Sequence, residues 1–197
     1  MGLSIVTQPA TEPLSVAEAK AHLRVDIADD NTLISEYISA ARRYAEGVTR
    51  RAFVEQTWDF TLDRFPVGAI RLPIQPVSSV TYVQYVDTAG ATQTFTEGTS
   101  PDVTKYDVFT DGPRATIVPK YNLTWPDTRD HPGVVTVRFV AGYATFPEDL
   151  KQALKLLVGH QYENREAVIF GFSTVQSLPL GVQSFLSPYM MRGFNGC

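Results

Sequence analysis

Three histidines, two aspartates spaced by four, an aspartate triplet and a group of four arginines are the side chains here with chemistry to offer. His22, His131 and His160 share no metal-ligand spacing. Two fall on predicted helices and one in a loop, so they read as surface or partly packed side chains. Asp59 and Asp63 lie on a segment that alternates like a strand. Four strand residues span about 13 Å, more than the roughly 5–9.5 Å of a glycosidase carboxylate pair. They read as two solvated residues on an outer face. Asp26, Asp29 and Asp30 lack the alternating ligands and central glycine of a calcium loop. A helix start explains them more simply. Arg42, Arg43, Arg50 and Arg51 form the one basic cluster. It is either a solvated helix face with local ion pairs or a contact surface for acidic groups or DNA phosphates. No phosphate loop, nucleophile elbow, zinc-protease helix or dinucleotide fingerprint occurs. No catalytic residue, metal or cofactor is therefore expected. Asn122-Leu123-Thr124 matches a glycosylation sequon, which matters only in a secreted protein.

Composition narrows the class. Lys and Arg number 17 against 21 Asp and Glu, a net charge of −4, which argues against coating nucleic acid by charge alone. Hydrophobic residues make up 44% of the 197, too many for a disordered chain. No apolar run approaches a membrane span, so no membrane partner is expected. Met1–Val6 carries no basic leader, and no secretory signal is expected. The single cysteine, Cys197, excludes an intramolecular disulfide and a cysteine-rich zinc site.

The elements come in an unusual order: helices, strands, a helix, then a loose tail. Ser15-Val16-Ala17-Glu18 is a capping box that predicts a helix fading near Asp26. Ile34, Tyr37, Ile38, Ala41, Tyr44, Ala45 and Val48 form one apolar stripe of a second helix. Arg42, Glu46 and Arg50 recur at four-residue spacing beside it. From Thr57 the period changes to two, with Trp58, Phe60 and Leu62 on one face. Further strands are expected at 69–72, 79–86, 92–95, 106–110, 115–118 and 134–141. Asp87-Thr88-Ala89-Gly90 and Asp111-Gly112-Pro113 supply turns. Thr145-Phe146-Pro147-Glu148 reads as a second capping box, opening a helix that runs to about Asn164.

After Arg165 the chain is punctuated by glycine and proline yet stays apolar. Phe170, Phe172, Leu178, Leu180, Val182, Phe185, Leu186, Tyr189, Met190, Met191 and Phe194 must be covered by the body or by another chain. The freedom of a terminal arm to exchange between subunits favours a partner, and these residues are its expected interface.

Several strings, taken in order, resemble one family. They are Pro13–Lys20 with Leu23–Asp26, Ala40-Ala41-Arg42, Gln56-Thr57-Trp58 with Leu62-Asp63 and Phe65-Pro66, Leu72-Pro73 with Pro76–Val80, Ala141-Gly142-Tyr143, Tyr162–Glu166, and the late Pro179–Val182 and Pro188-Tyr189. The set resembles the head–tail connector, or adaptor, family of long-tailed double-stranded DNA phages, prophages and gene transfer agents. The end, Asn195-Gly196-Cys197, has no counterpart. The resemblance implies an α+β fold: a helical bundle of two N-terminal helices and one C-terminal helix, a large β-rich insertion and an extended C-terminal tail. Residues 1–52 and 142–170 would form the helical body, 53–141 the β-rich module and 171–197 the docking tail. It further implies a structural ring of about twelve copies beneath the portal, made in the bacterial host cytoplasm and carried at the neck of a virion or virion-like particle. Its partners would be itself, the portal protein, a downstream stopper or tail protein, and genomic DNA passing without sequence readout. The competing reading is a DNA-binding module built on Arg42, Arg43, Arg50 and Arg51.

Overall fold

Ser15 opens the first helix as its spacing predicts. Its hydroxyl accepts from the Glu18 N–H, and the Glu18 carboxylate accepts from the Ser15 N–H at 2.9 Å, so two orphan donors are satisfied at once. Helix α1 covers Val16–Leu23 and α2 covers Asn31–Thr49. Each ends on an arginine in the left-handed region, Arg24 and Arg50, both with φ 57°. Helix α3 covers Glu148–Glu163. Its cap differs from expectation. Pro147 is the N-cap and makes no side-chain cap bond, so the Thr145 capping box does not form. Glu148 sits at the first turn instead, near Lys151 at 3.8 Å.

The computed structural model describes residues 1–96, 106–112, 114–164 and 180–191. Among them it shows α4, Leu180–Leu186, followed by a 3-10 turn at Ser187–Tyr189. The sequence reading had this stretch extended. The structure corrects that: Val182 and Leu186, spaced by four, turn to one side and are fully buried.

The chain is α+β and divides into two units: Met1–Ala10 with Glu55–Gly142, and Thr11–Val54 with Tyr143–Cys197. The helical unit has one core. Ile34, Ile38, Ala41 and Ala45 of α2 meet Leu150, Ala153, Leu154, Leu157 and Val158 of α3, together with Leu14, Ala19, Phe53, Val182 and Leu186. The stripe read from α2 is this core face except for Tyr44, which is exposed; Tyr37 and Val48 are only partly buried at its margin.

The β unit holds strands β1 (Gly2–Thr7), β2 (Gln56–Leu62), β3 (Ile70–Arg71), β4 (Val77–Val86), β5 (Thr92–Thr96), β6 (Tyr106–Phe109), β7 (Thr116–Pro119) and β8 (Val135–Ala141). Five strands form an antiparallel sheet in the order β1-β2-β8-β4-β5, and three form a second sheet, β3-β7-β6. Residues opposite one another share a face. Phe60 faces Val137 and Leu62 faces Val135, and all four are buried. Ile70, Tyr106 and Ile117 of the smaller sheet are buried too. The β4–β5 turn works as its residues suggest. Asp87 accepts from the Ala91 N–H at 2.9 Å, and Gly90 takes φ 87°, a value that penalises a side chain.

Strand β1 corrects the sequence reading. Residues 1–10 were assigned to the helical body, but Gly2–Thr7 pairs with β2 and belongs to the β unit. All six of its residues are exposed.

Candidate functional site

The arginine cluster is taken apart by the fold. Arg42 is buried at 4% exposure. Its guanidinium donates to Glu12 at 2.6 Å and to Glu46 at 2.7 Å. Glu12 also accepts from Ser39 Oγ at 2.7 Å, and Glu46 accepts from the Phe53 N–H at 2.7 Å. One network thus ties the segment before α1, the middle of α2 and the chain just past α2. Burial alone would lower the Arg42 pKa, but the Glu12 bond and the charges of Glu46 and Glu12 raise it. Arg51 turns to the tail, its Nε donating to the Tyr189 carbonyl at 2.8 Å. Arg50 lies beyond the last turn of α2. Only Arg43 and Arg50 stay exposed. Two side chains do not make the phosphate-tracking surface a DNA-binding module requires, so that reading is not supported.

The tail residues fare differently from one another. Val182 and Leu186 lie inside the core of their own chain, and Phe185, Tyr189 and Met190 pack partly against it. Met191 is half-buried, and its N–H reaches the Thr49 carbonyl at 3.4 Å. Val182 and Leu186 are covered by their own chain. Phe170, Phe172, Leu178 and Phe194 lie outside the described residues, as does the side chain of Leu180. Around the 3-10 turn, burial raises the Tyr143 phenol, with the Arg51 charge working against it. Burial and then the Asp149 charge raise that of Tyr189.

The aspartates have structural work. Asp59 was read as solvated, but it accepts from Arg138 Nε and Nη2 at 2.8 and 2.7 Å across β2 and β8. Asp63 accepts from the Gly133 N–H at 3.0 Å. That bond and the chain's amino terminus hold its carboxyl below the usual range. Tyr162 of α3 donates a short hydrogen bond to Asp30, the N-cap of α2. His22 and His160 are exposed, as is His131.

Among the described residues no three His, Cys, Asp or Glu stand together to hold a metal. No helix of the described residues is long and apolar enough to cross a membrane. A cleft of about 420 Å³ lies between the loops Arg64–Val67 and Thr124–Thr128 of the β unit. Phe65 and Trp125 stack there at 4.7 Å, and the indole N–H donates to the Gly68 carbonyl at 2.8 Å. These contacts fix one loop against the other and bring no nucleophile beside a base.

Residues 13–106 match the family described as the phage gp6-like head-tail connector protein. No curated protein matches the sequence. Solved structures do. A chain in the neck of an empty gene transfer agent particle, computed with C6 symmetry, is 26% identical with a TM-score of 0.78, covering 100% of this chain and 99% of that one. A chain of the virion of a native gene transfer agent particle is 27% identical at 0.79, with the same coverage. A chain in the neck of the native particle, computed with C12 symmetry, is 28% identical at 0.75, again covering 100% and 99%. Over residues 13–106 the chain thus resembles the phage head–tail connector family, and along its whole length it shares its fold with chains of gene transfer agent necks and virions.

Proposed function

We propose that this protein is a structural connector at the head–tail neck of a phage or gene transfer agent particle. In this reading it assembles into a ring, of about twelve copies, beneath the portal. The ring extends the DNA channel toward a stopper or tail protein, and genomic DNA passes without sequence readout. The observation that carries the proposal is the end-to-end likeness to neck chains, one of them in a particle computed with C12 symmetry. The buried Arg42 network, which fixes the segment before α1 against α2, fits a protein that holds a shape.

A structural ring places one demand on its subunit: surfaces that repeat and close by rotation. The test is to mix the purified protein with the portal ring encoded nearby and image the product by electron microscopy. A second, coaxial ring under the portal is expected, and its symmetry gives the copy number. No added ring on either isolated portals or DNA-filled heads would overturn the proposal.

A further inference from the structure

Strand β1 is an outer strand of the five-stranded sheet, and among the described residues no strand pairs with its far side. All six of its residues are exposed. An open edge carries a row of unpaired N–H and C=O groups, and proteins usually guard it with charge or proline. Gly2–Thr7 reads Gly-Leu-Ser-Ile-Val-Thr, without either. Its one guard is a bulge between Ile5 and Thr7, which leaves Gly2–Ile5 as the regular run.

The apolar face of the sheet runs off at this edge. Leu3 stands opposite Phe60, Phe60 opposite Val137 and Val137 opposite Val83, and the last three are buried. Ile5, Trp58, Phe139 and Val80 make the next such row. The two rows end on half-covered side chains, Leu3 at 37% and Ile5 at 39% exposure. Ser4 lies between them on the other face. The charge opposite Ser4, Asp59, is already answered by Arg138.

We infer that β1 receives the β1 strand of a second copy, as an antiparallel pair about a twofold axis at Ser4. The strand's own sequence selects that occupant. Residues directly opposite in an antiparallel pair share a face. With Ser4 opposite Ser4 of the second copy, Leu3 stands opposite Ile5 and Ile5 opposite Leu3. Each interrupted row of one core face is then continued by a row of the other, and no charge meets a like charge. Moving the axis to Leu3 shortens the pair, and moving it to Ile5 runs it into the bulge. So short a contact buries much less than the roughly 800 Å² per partner of a stable complex, so the pair is weak and reversible. In a ring around an open channel, touching copies are related by a turn far smaller than the half-turn of this pair. The pair is therefore a reserve form that must part before a ring closes. That consequence, unlike the pair itself, rests on the ring reading above.

Sedimentation of the full chain without the portal tests the pair. Wild type is expected to pass from monomer to dimer as its concentration rises. Leu3→Lys with Ile5→Lys sets like charges opposite one another and is expected to lose the dimer. Leu3→Lys with Ile5→Glu sets opposite charges there and is expected to regain it. Circular dichroism checks that both fold. Ser4→Cys in a Cys197→Ser background reads the register without touching the apolar rows. Directly opposite Cα atoms lie about 4.5–5.5 Å apart, within reach of a disulfide. Oxidation is expected to link Ser4→Cys into dimers and to leave Ala28→Cys, equally exposed but far from β1 in sequence, unlinked. The linked dimer is expected to stay out of portal-bound rings until reductant is added. Wild type that stays monomeric at every concentration, or passes from monomer straight to rings, would overturn the proposal. So would a dimer that survives in the folded Leu3→Lys, Ile5→Lys chain. Loss of portal docking in that variant beside a monomeric wild type would assign β1 to a strand of another protein instead. Failure of the connector reading looks different: the dimer forms, yet wild type makes no ring on the portal.

Discussion

Arg42 Nε lies 2.6 Å from Glu12 Oε2, joining residues thirty positions apart, while Arg42 Nη1 lies 2.7 Å from Glu46, one helical turn away. The guanidinium fork reaches two carboxylates from a nearly closed site. Arg42→Ala would strand both acids and remove the clasp that holds the segment before α1. The expected cost is about 3 kcal/mol, as for other buried pairs broken on one side. Arg42→Lys should recover little of it, because an ammonium cannot serve both directions of the fork. Urea unfolding measures this, and a loss under about 1 kcal/mol would contradict the assignment.

Leu186 decides between a docking arm and a structural tail. It is fully buried in the helical core beside Val182. Leu186→Ala is expected to cost about 2–5 kcal/mol in the isolated chain. A chain cut before Leu180 should lose more and melt markedly lower. A docking arm alone would leave the melting temperature of both unchanged.

Glu18 links folding to acid. The Ser15 N–H, the Ser15 hydroxyl and Lys151 at 3.0 Å lower its pKa from 4.5 to about 2. A carboxyl held lower in the folded state contributes stability that is complete above its unfolded value and is lost as pH falls toward the folded one. Titrating urea midpoints from about pH 5 to about pH 2 should therefore show a decline that Glu18→Gln makes shallower. At neutral pH, Ser15→Ala is expected to cost about 1 kcal/mol through the lost cap. Identical acid profiles for wild type and Glu18→Gln would refute the linkage.

Asp59 and Arg138 sit directly opposite on β2 and β8 and meet through two hydrogen bonds. Arg138 also lies 5.1 Å from the centre of the Tyr82 ring on β4, so one side chain spans three strands. A double-mutant cycle of Asp59→Ala and Arg138→Ala should give a coupling of about 1 kcal/mol, the upper range for partly exposed pairs. A coupling near zero would leave the pair as crystal-like ornament with no hold on the sheet.

Much of this fold is written in local periodicity. The α2 stripe, the Ser15 capping box and the alternation of β2 each report on a structure within a few residues of themselves, and each forms as its pattern predicts. The misses have different causes. β1 is exposed along its whole length and alternates only over Leu3-Ser4-Ile5 before Val6 breaks the pattern, and its partner β2 lies some fifty positions on. α4 hides behind Gly181 and Pro188, although Val182, Phe185 and Leu186 keep the spacing of one helix face. The arginine cluster misled in another way. The Arg42–Glu46 pair is readable at four-residue spacing, but Glu12 comes from a different segment, and only tertiary contact turns a basic patch into a buried clasp. The sheet order β1-β2-β8-β4-β5 was likewise out of reach, because strand order is not a local property.

The division of the chain also has a consequence for its biosynthesis. The polypeptide passes between its two units three times, and neither unit is made from one continuous stretch. On the ribosome, α1 and α2 emerge early but must wait for α3 and α4 before their apolar stripe is covered. β1 precedes both helices in the chain and stays without its partner until β2 follows. α3 and α4 thus seal a core begun by α1 and α2, which are made before them. A chain released early by a stop codon or a stalled ribosome would expose Ile34, Ile38 and Ala41, the kind of apolar stripe that proteases and chaperones recognise. Translation through Leu186 is thus what completes the helical core.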